Sequence, residues 1–257
     1  MAIIASAVFV TAAAASGLAD LADAARAFTV RVDVELTAAS SQQAGRHVVG
    51  AGVVIQPGVV ATCAHLFDEL PAPIKRIVVV PDNGSPERDA TLELAVDTSL
   101  DLAYLRTPNL QLAAAASADA APRIGEEVFF IGHPFSLKSM VLGVGTVASD
   151  EITQADDKYT RRLRLLNGSA NKGNSGGGVF RRSDGALVGL IQIKTGAVSS
   201  DLRALMKAKP RASMNLDGLD PVKALQATIR QMDDQLNMGV SGFIAVTRVL
   251  ANSPAAR

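Results

Sequence analysis

Residues Phe28 to Leu36 alternate strictly, with Phe28, Val30, Val32, Val34 and Leu36 apolar and the positions between them polar. This two-residue period predicts a half-buried strand. An apolar run from His47 to Ile55 follows, and Pro57-Gly58 then turns the chain into Val59 to Cys63, which reads as a hairpin. Further strands are predicted at about 76–80, 91–97 and 102–106, with Asp82-Asn83-Gly84-Ser85-Pro86 as the break between the first two. A short helix or lead-in is expected at 22–27. An Ala-rich connector, 112–122, separates this set from strands predicted at 127–132, 140–148, 159–166, 178–182, 186–194 and 242–246. Two sets of six are what two Greek-key barrels require. The expected fold is therefore all-β, with barrel 1 at about 27–111 and barrel 2 at about 122–257.

A helical insertion at about 195–241 interrupts the second set before its last strand. Its second helix is predicted to start at Pro221 behind an Asp220 N-cap and to run to about Asn237. Val222, Leu225, Ile229, Met232 and Leu236 recur at helical spacing and form one apolar stripe. The stripe can pack on the protein's own barrel. The alternative is a lid, or self-association through the 221–237 helix.

Composition narrows the function class. The chain has 257 residues, 25 basic and 25 acidic, so nothing electrostatic points to nucleic acid or an anionic membrane. One cysteine rules out an intrachain disulfide framework, and the absence of Trp leaves a core built from Val, Leu, Ile and Ala. Residues 1–15 form an apolar run too short for a comfortable span and are followed by small residues. We read residues 1–24 as a signal peptide, although no basic residue precedes the run, with a periplasmic or secreted destination. An ordinary Ala-rich helix is the alternative, and no other stretch is long enough to span a bilayer.

The chemistry concentrates in Asn171-Lys172-Gly173-Asn174-Ser175-Gly176-Gly177-Gly178. A nucleophilic serine needs an exposed Oγ and backbone N–H groups aimed at a developing oxyanion, and glycine neighbours permit both. A Gly/Ser/Asn loop without chemistry would look similar. The stretch also fits the Gly-x-Ser-x-Gly elbow, but that arrangement needs its histidine after the serine. His47, His65 and His133 are the three histidines, and all precede Ser175. The elbow is excluded, and the order His…Asp…Ser remains.

Three segments in that order carry a family resemblance. Val60-Ala61-Thr62-Cys63-Ala64-His65, Ser99-Leu100-Asp101-Leu102-Ala103-Tyr104-Leu105 and Gly173-Asn174-Ser175-Gly176-Gly177 resemble the triad segments of chymotrypsin-fold serine proteases, in particular the HtrA/Deg branch. Gly50-Ala51-Gly52 and Ile131-Gly132-His133-Pro134-Phe135 are similar to further motifs of that branch. The resemblance covers about 28–194 and resumes at 242–251, with no PDZ-like segment. It implies His65 as base, Asp101 as its orienting acid and Ser175 as nucleophile, with the N–H groups of Gly173 and Ser175 as oxyanion hole. It also implies a primary pocket with Ser169 at its base and Ile191, Gln192 and Ile193 along its wall. With no acid placed there, small or medium aliphatic residues are expected at P1.

Polypeptide substrates, no cofactor and no metal follow from the same resemblance. Asn174 stands where digestive relatives carry a zymogen-switching Asp, so activation by N-terminal trimming is not expected. A chaperone-like or peptide-binding module held in a resting state is the alternative. The remaining candidates have plainer readings. His47 and His133 are taken as structural or surface residues, and Cys63 as a small buried one. Asp150, Glu151, Asp156 and Asp157 read as a solvated acidic loop rather than a calcium site, and Arg161-Arg162-Leu163-Arg164 as the exposed face of a strand.

Overall fold

A computed structural model describes residues 17–37, 47–68, 70–156, 158–194, 205, 220–235 and 239–254. Residues 1–16 of the expected leader, most of the 195–219 segment and Leu236 lie outside the described residues, whereas residues 18–24 of that leader belong to a helix, Leu18–Arg26. The alternating segment forms β1 (Thr29–Leu36), and its apolar positions are buried as the pattern requires. β1 pairs with β2 (His47–Gln56) and with β4 (Ile74–Pro81), both antiparallel. β3 (Val59–Cys63), β5 (Arg88–Asp89), β6 (Thr91–Leu94) and β7 (Leu102–Arg106) complete a sheet of order β5-β4-β1-β2-β3-β7-β6.

The second sheet holds β8 (Glu127–Gly132), β9 (Val141–Val147), β10 (Ile152–Ala155), β11 (Thr160–Asn167), β12 (Gly178–Arg181), β13 (Leu187–Lys194) and β14 (Val240–Ala245). Its order is β10-β11-β14-β13-β12-β8-β9, and β9 returns to β11 through Leu166–Val147 and Asn167–Thr146. Those last pairs close a six-stranded barrel, and the first sheet curls into a nearly closed one. The double-barrel expectation holds, with all twelve predicted strands present. Two more strands were not foreseen. β5 is two residues long and carries no period. β10 is exposed along its whole length and extends the β11 hairpin beyond the barrel, so burial leaves no apolar signature on it.

Each barrel has its own core, Val30, Val32, Val54 and Leu105 in the first, Val128, Phe130, Leu166 and Phe243 in the second. A third cluster lies between them and joins Val53, Ala61 and Tyr104 to Phe129, Ile131, Phe180 and Leu190. Phe129 and Phe180 stack at 5.3 Å between ring centroids. Two short helices seal the ends of this seam: α1 (Leu18–Arg26) through Leu18, Leu21 and Ala25, and a C-terminal helix, Val246–Ala251, through Val246 and Val249. The Tyr104 hydroxyl donates to Val249 O at 2.5 Å, and burial pushes the phenol well above its ordinary pKa.

In chain order, α2 (Pro221–Gln235) precedes that C-terminal helix, which is α3. Asp220 Oδ1 accepts the N–H groups of Val222 and Lys223, the cap expected from the sequence. The stripe is only partly covered. Ile229 is buried, but Leu225 and Met232 are 49% and 48% exposed, and Gln226 is buried in their stead. The helix has rotated from the face that apolar spacing alone would select. Among the described residues no helix is long and apolar enough to cross a membrane.

Candidate active site

β3 ends at Cys63 and passes into a 3₁₀ turn, Ala64–Phe67, that carries His65. Asp101 follows a second 3₁₀ turn, Thr98–Leu100, and takes the left-handed conformation φ 58°, ψ 40°. Such a backbone is uncommon outside glycine and persists only where its surroundings fix it. Here they do. Gln192 Nε2 donates to Leu100 O at 2.8 Å and to Asp101 O at 2.9 Å, and Ala64 N–H donates to Asp101 O.

The Asp101 side chain is fully buried. Oδ1 accepts the His65 backbone N–H at 2.9 Å, and Oδ2 faces His65 Nδ1 at 2.9 Å. A carboxylate against Nδ1 places the imidazole proton there and leaves Nε2 as the acceptor. A third donor arrives from the other barrel: Arg161 Nε donates to Oδ2 at 2.7 Å. The reading of Arg161 as surface is therefore wrong. It is 7% exposed and shares the inward face of β11 with Leu163, a parity visible in the sequence. Burial alone would depress its guanidinium, but Asp101 and Asp156 raise it above its ordinary value. Asp156, exposed as expected, is also an ion-pair partner of Arg161, and Glu151 is bound to Arg248 at 2.5 and 2.6 Å.

Ser175 sits in the loop between β11 and β12, fixed by Gly176 N–H on Ile191 O at 2.7 Å and by Ser175 O on Ala51 N–H at 2.8 Å. Two glycines there are obligatory. Gly173 has φ +95°, and a Cβ on it would lie 2.1 Å from His133 O; Gly176 has φ +82°, and its Cβ would lie 2.1 Å from Ala51 O. Gly50 and Gly52 flank that contact on β2, where a Cβ would lie 2.3 Å from the Leu66 side chain on the first and 2.5 Å from Val60 on the second.

Phe135 N–H holds Lys172 O at 2.8 Å. Because a trans peptide directs its C=O and N–H oppositely, this turns the Gly173 N–H to the other side. Among the described residues, neither the Gly173 N–H nor the Ser175 N–H donates to a protein acceptor. His65, Gly173 and Ser175 line one cleft of about 520 Å³ at the barrel seam, with Val48, Leu66, Phe135 and Lys172 around them.

Of the residues assigned to the primary pocket, Ser169 is exposed beside Gly239 and is not among the residues that line this cleft. Ile191 packs into the second barrel, and the Gln192 amide is turned to the Asp101 backbone, so both can meet a substrate only through main chain. Gln192 occupies a bulge between Ile191, paired with Phe243, and Ile193, paired with Gly242, which takes it off the ladder. The Ile193 side chain lies outside the described residues.

The other nucleophile and base candidates are accounted for. Cys63 is buried with Sγ on Ile191 O at 3.2 Å, and burial pushes its thiol well up, which keeps it inert. His133 is buried, its imidazole pushed down by that burial, and its ring nitrogens find no hydrogen-bond partner among the described residues. His47 is half exposed on the cleft rim, with Nδ1 2.8 Å from Asp33 Oδ1.

A double β-barrel whose seam carries a part-exposed histidine against a buried aspartate, with a glycine-flanked serine on the same cleft, has the architecture of the chymotrypsin-fold serine hydrolases. The chain belongs to the trypsin-like peptidase domain family, whose sequence model matches residues 50–190. Three solved structures are similar in fold. The Rv3671c protease from M. tuberculosis in its active form is 18% identical, with TM-score 0.62, covering 98% of this chain and 92% of that one. Its inactive form gives TM-score 0.60 at 16% identity, over 91% and 90%. The HtrA-type protease AlgW, solved with a tripeptide, gives TM-score 0.63 at 18% identity, over 91% of this chain and 62% of that one. No curated protein sequence matches the chain.

Proposed function

We propose that this trypsin-like serine peptidase is an endopeptidase working through Ser175, His65 and Asp101. His65 Nε2 takes the Ser175 hydroxyl proton as Oγ attacks the scissile carbonyl, and Asp101 stabilises the imidazolium that forms. The Gly173 and Ser175 N–H groups receive the oxyanion. Collapse of the tetrahedral intermediate returns the proton to the leaving amine and leaves an acyl-enzyme, which water hydrolyses by the same route. The observation that carries this reading is that His65, paired with Asp101, shares one cleft with Ser175 and Gly173, whose N–H groups donate to no protein acceptor among the described residues.

P1 residues are small or medium aliphatic, a preference that rests on the resemblance and on the absence of an acid at Ser169 and at 191–193. Substrates are polypeptides, as in the peptide-bound AlgW structure. A fluorophosphonate probe tests the proposal: it labels the wild-type protein, while Ser175→Ala abolishes labelling and His65→Ala reduces it by several orders of magnitude. Failure of the folded wild type to label would instead favour the resting, peptide-binding module. Cleavage mainly after Lys or Arg in a peptide library would overturn the P1 assignment.

A further inference from the structure

Arg161 comes from the second barrel, whereas His65 and Asp101 belong to the first. It is the one guanidinium on the triad carboxylate among the described residues. Three contacts fix its position. Nη1 binds the Asp156 carboxylate, the guanidinium lies 4.7 Å from the centroid of the Tyr159 ring, and Nε points at Asp101. Asp156 is itself held by the N–H groups of Lys158 and Tyr159 at 2.9 and 2.7 Å.

The same segment grips the other side of the His65 turn. The Tyr159 hydroxyl donates to Asp68, Lys158 Nζ lies 2.5 Å from Asp68 Oδ1, and the Tyr159 ring packs with Ala64 and Ala103. Asp156, Lys158, Tyr159 and Arg161 thus clamp the turn carrying His65 on one side and the carboxylate that orients it on the other.

We propose that Arg161 is a positioning residue of the catalytic pair, docking the second barrel onto Asp101 so that the carboxylate meets His65 Nδ1 and shares its charge between imidazole and guanidinium. A purely structural pair would be a poor use of burial, since two charges out of water cost several kcal/mol each and hydrophobic replacements are often as stable. The role is specific in geometry, because Nε and Nη1 of one planar fork reach two carboxylates at once in a fixed arrangement that a flexible ammonium does not impose. It is also specific in sign. With the guanidinium removed, the buried carboxylate is left to the imidazole alone, and protonation of that imidazole becomes easier.

The charged and titratable groups around it are Asp101, His65, Cys63 and Asp68 from the first barrel, and Asp156, Lys158 and Tyr159 from its own hairpin. Arg162 and Arg164 on the same strand point to Glu151 and Asp150 instead.

This inference rests on the proposed triad, and the test separates the two. Peptide hydrolysis is followed across pH for wild type, Arg161→Gln, Arg161→Lys, Asp156→Asn and Ser175→Ala, with thermal unfolding to verify folding. Folded Arg161→Gln loses roughly 10- to 100-fold in kcat with KM little changed. The acid limb of its kcat/KM profile rises by about one pH unit. Arg161→Lys restores the limb but only part of kcat. Asp156→Asn, which removes a negative charge at a half-exposed site, lowers the limb by a smaller amount. A folded Arg161→Gln with wild-type kcat and limb overturns the proposal. Should that variant not fold, an unmoved limb in Asp156→Asn together with full kcat in Arg161→Lys overturns it equally. Hydrolysis by Ser175→Ala at the wild-type rate sinks the triad itself, whatever Arg161 does.

Discussion

At the residue scale, the site is made by backbone positions that ordinary residues avoid. Asp101 is held left-handed at a cost of roughly 1–3 kcal/mol, and the buried Gln192 amide is what secures it from behind. Gly173 has no substitute. In Gly173→Val the new Cβ meets His133 O at 2.1 Å and φ +95° is strained for any L side chain, so the Lys172–Gly173 peptide must turn. We expect kcat to fall about 10²- to 10³-fold, the loss of one oxyanion donor, with the His65–Asp101 pair intact. Steady-state kinetics on the folded variant measure this; near-normal turnover would show that the loop does another job.

At the scale of elements, most of the chain was legible because strands buried on one face write a two-residue period. β1 is the clearest case, and its partners follow from it. β10 wrote nothing because no face of it is buried. Arg161 wrote a signal that composition masked: it has the parity of Leu163, yet an Arg beside two others reads as solvent-facing until a partner carboxylate from another barrel is known. The α2 stripe failed the opposite way, since an amphipathic pattern says that a face is apolar but not that anything covers it. Its start was decided locally, by Asp220. Asp220→Ala removes that cap at about 1 kcal/mol of helix stability. Hydrogen exchange reads this as roughly fivefold faster exchange across 224–229, with unchanged protection in β12 and β13.

At the scale of the whole molecule, the seam between barrels supplies both the cohesion and the site. The cluster around Phe129 and Phe180 is continuous with both barrels, so residues far apart in sequence are locked at one cleft. His133 sits under that cleft, with its main-chain N–H on Gly173 O. Burial pushes its imidazole below the ordinary value of about 6.5, so the unfolded chain binds a proton that the folded one refuses. Stability is therefore full above about pH 6.5. It declines as pH falls toward the folded value, by at most about 1.4 kcal/mol per pH unit, and then levels off. Thermal unfolding between pH 7 and 5 measures the slope, and His133→Leu, which cannot titrate, flattens it. An identical slope in that variant would assign the loss to other groups.

By itself the sequence determined the strands that bury a face, the two-barrel class and the His65, Asp101 and Ser175 segments, because period, turn chemistry and short motifs are local properties of the chain. Tertiary structure alone decided which groups stand around the Asp101 carboxylate, that the Gln192 amide supports the Asp101 backbone, and which face of α2 is covered. Those outcomes depend on which distant side chain fills a buried volume or neutralises a buried charge, and no local pattern carries that information.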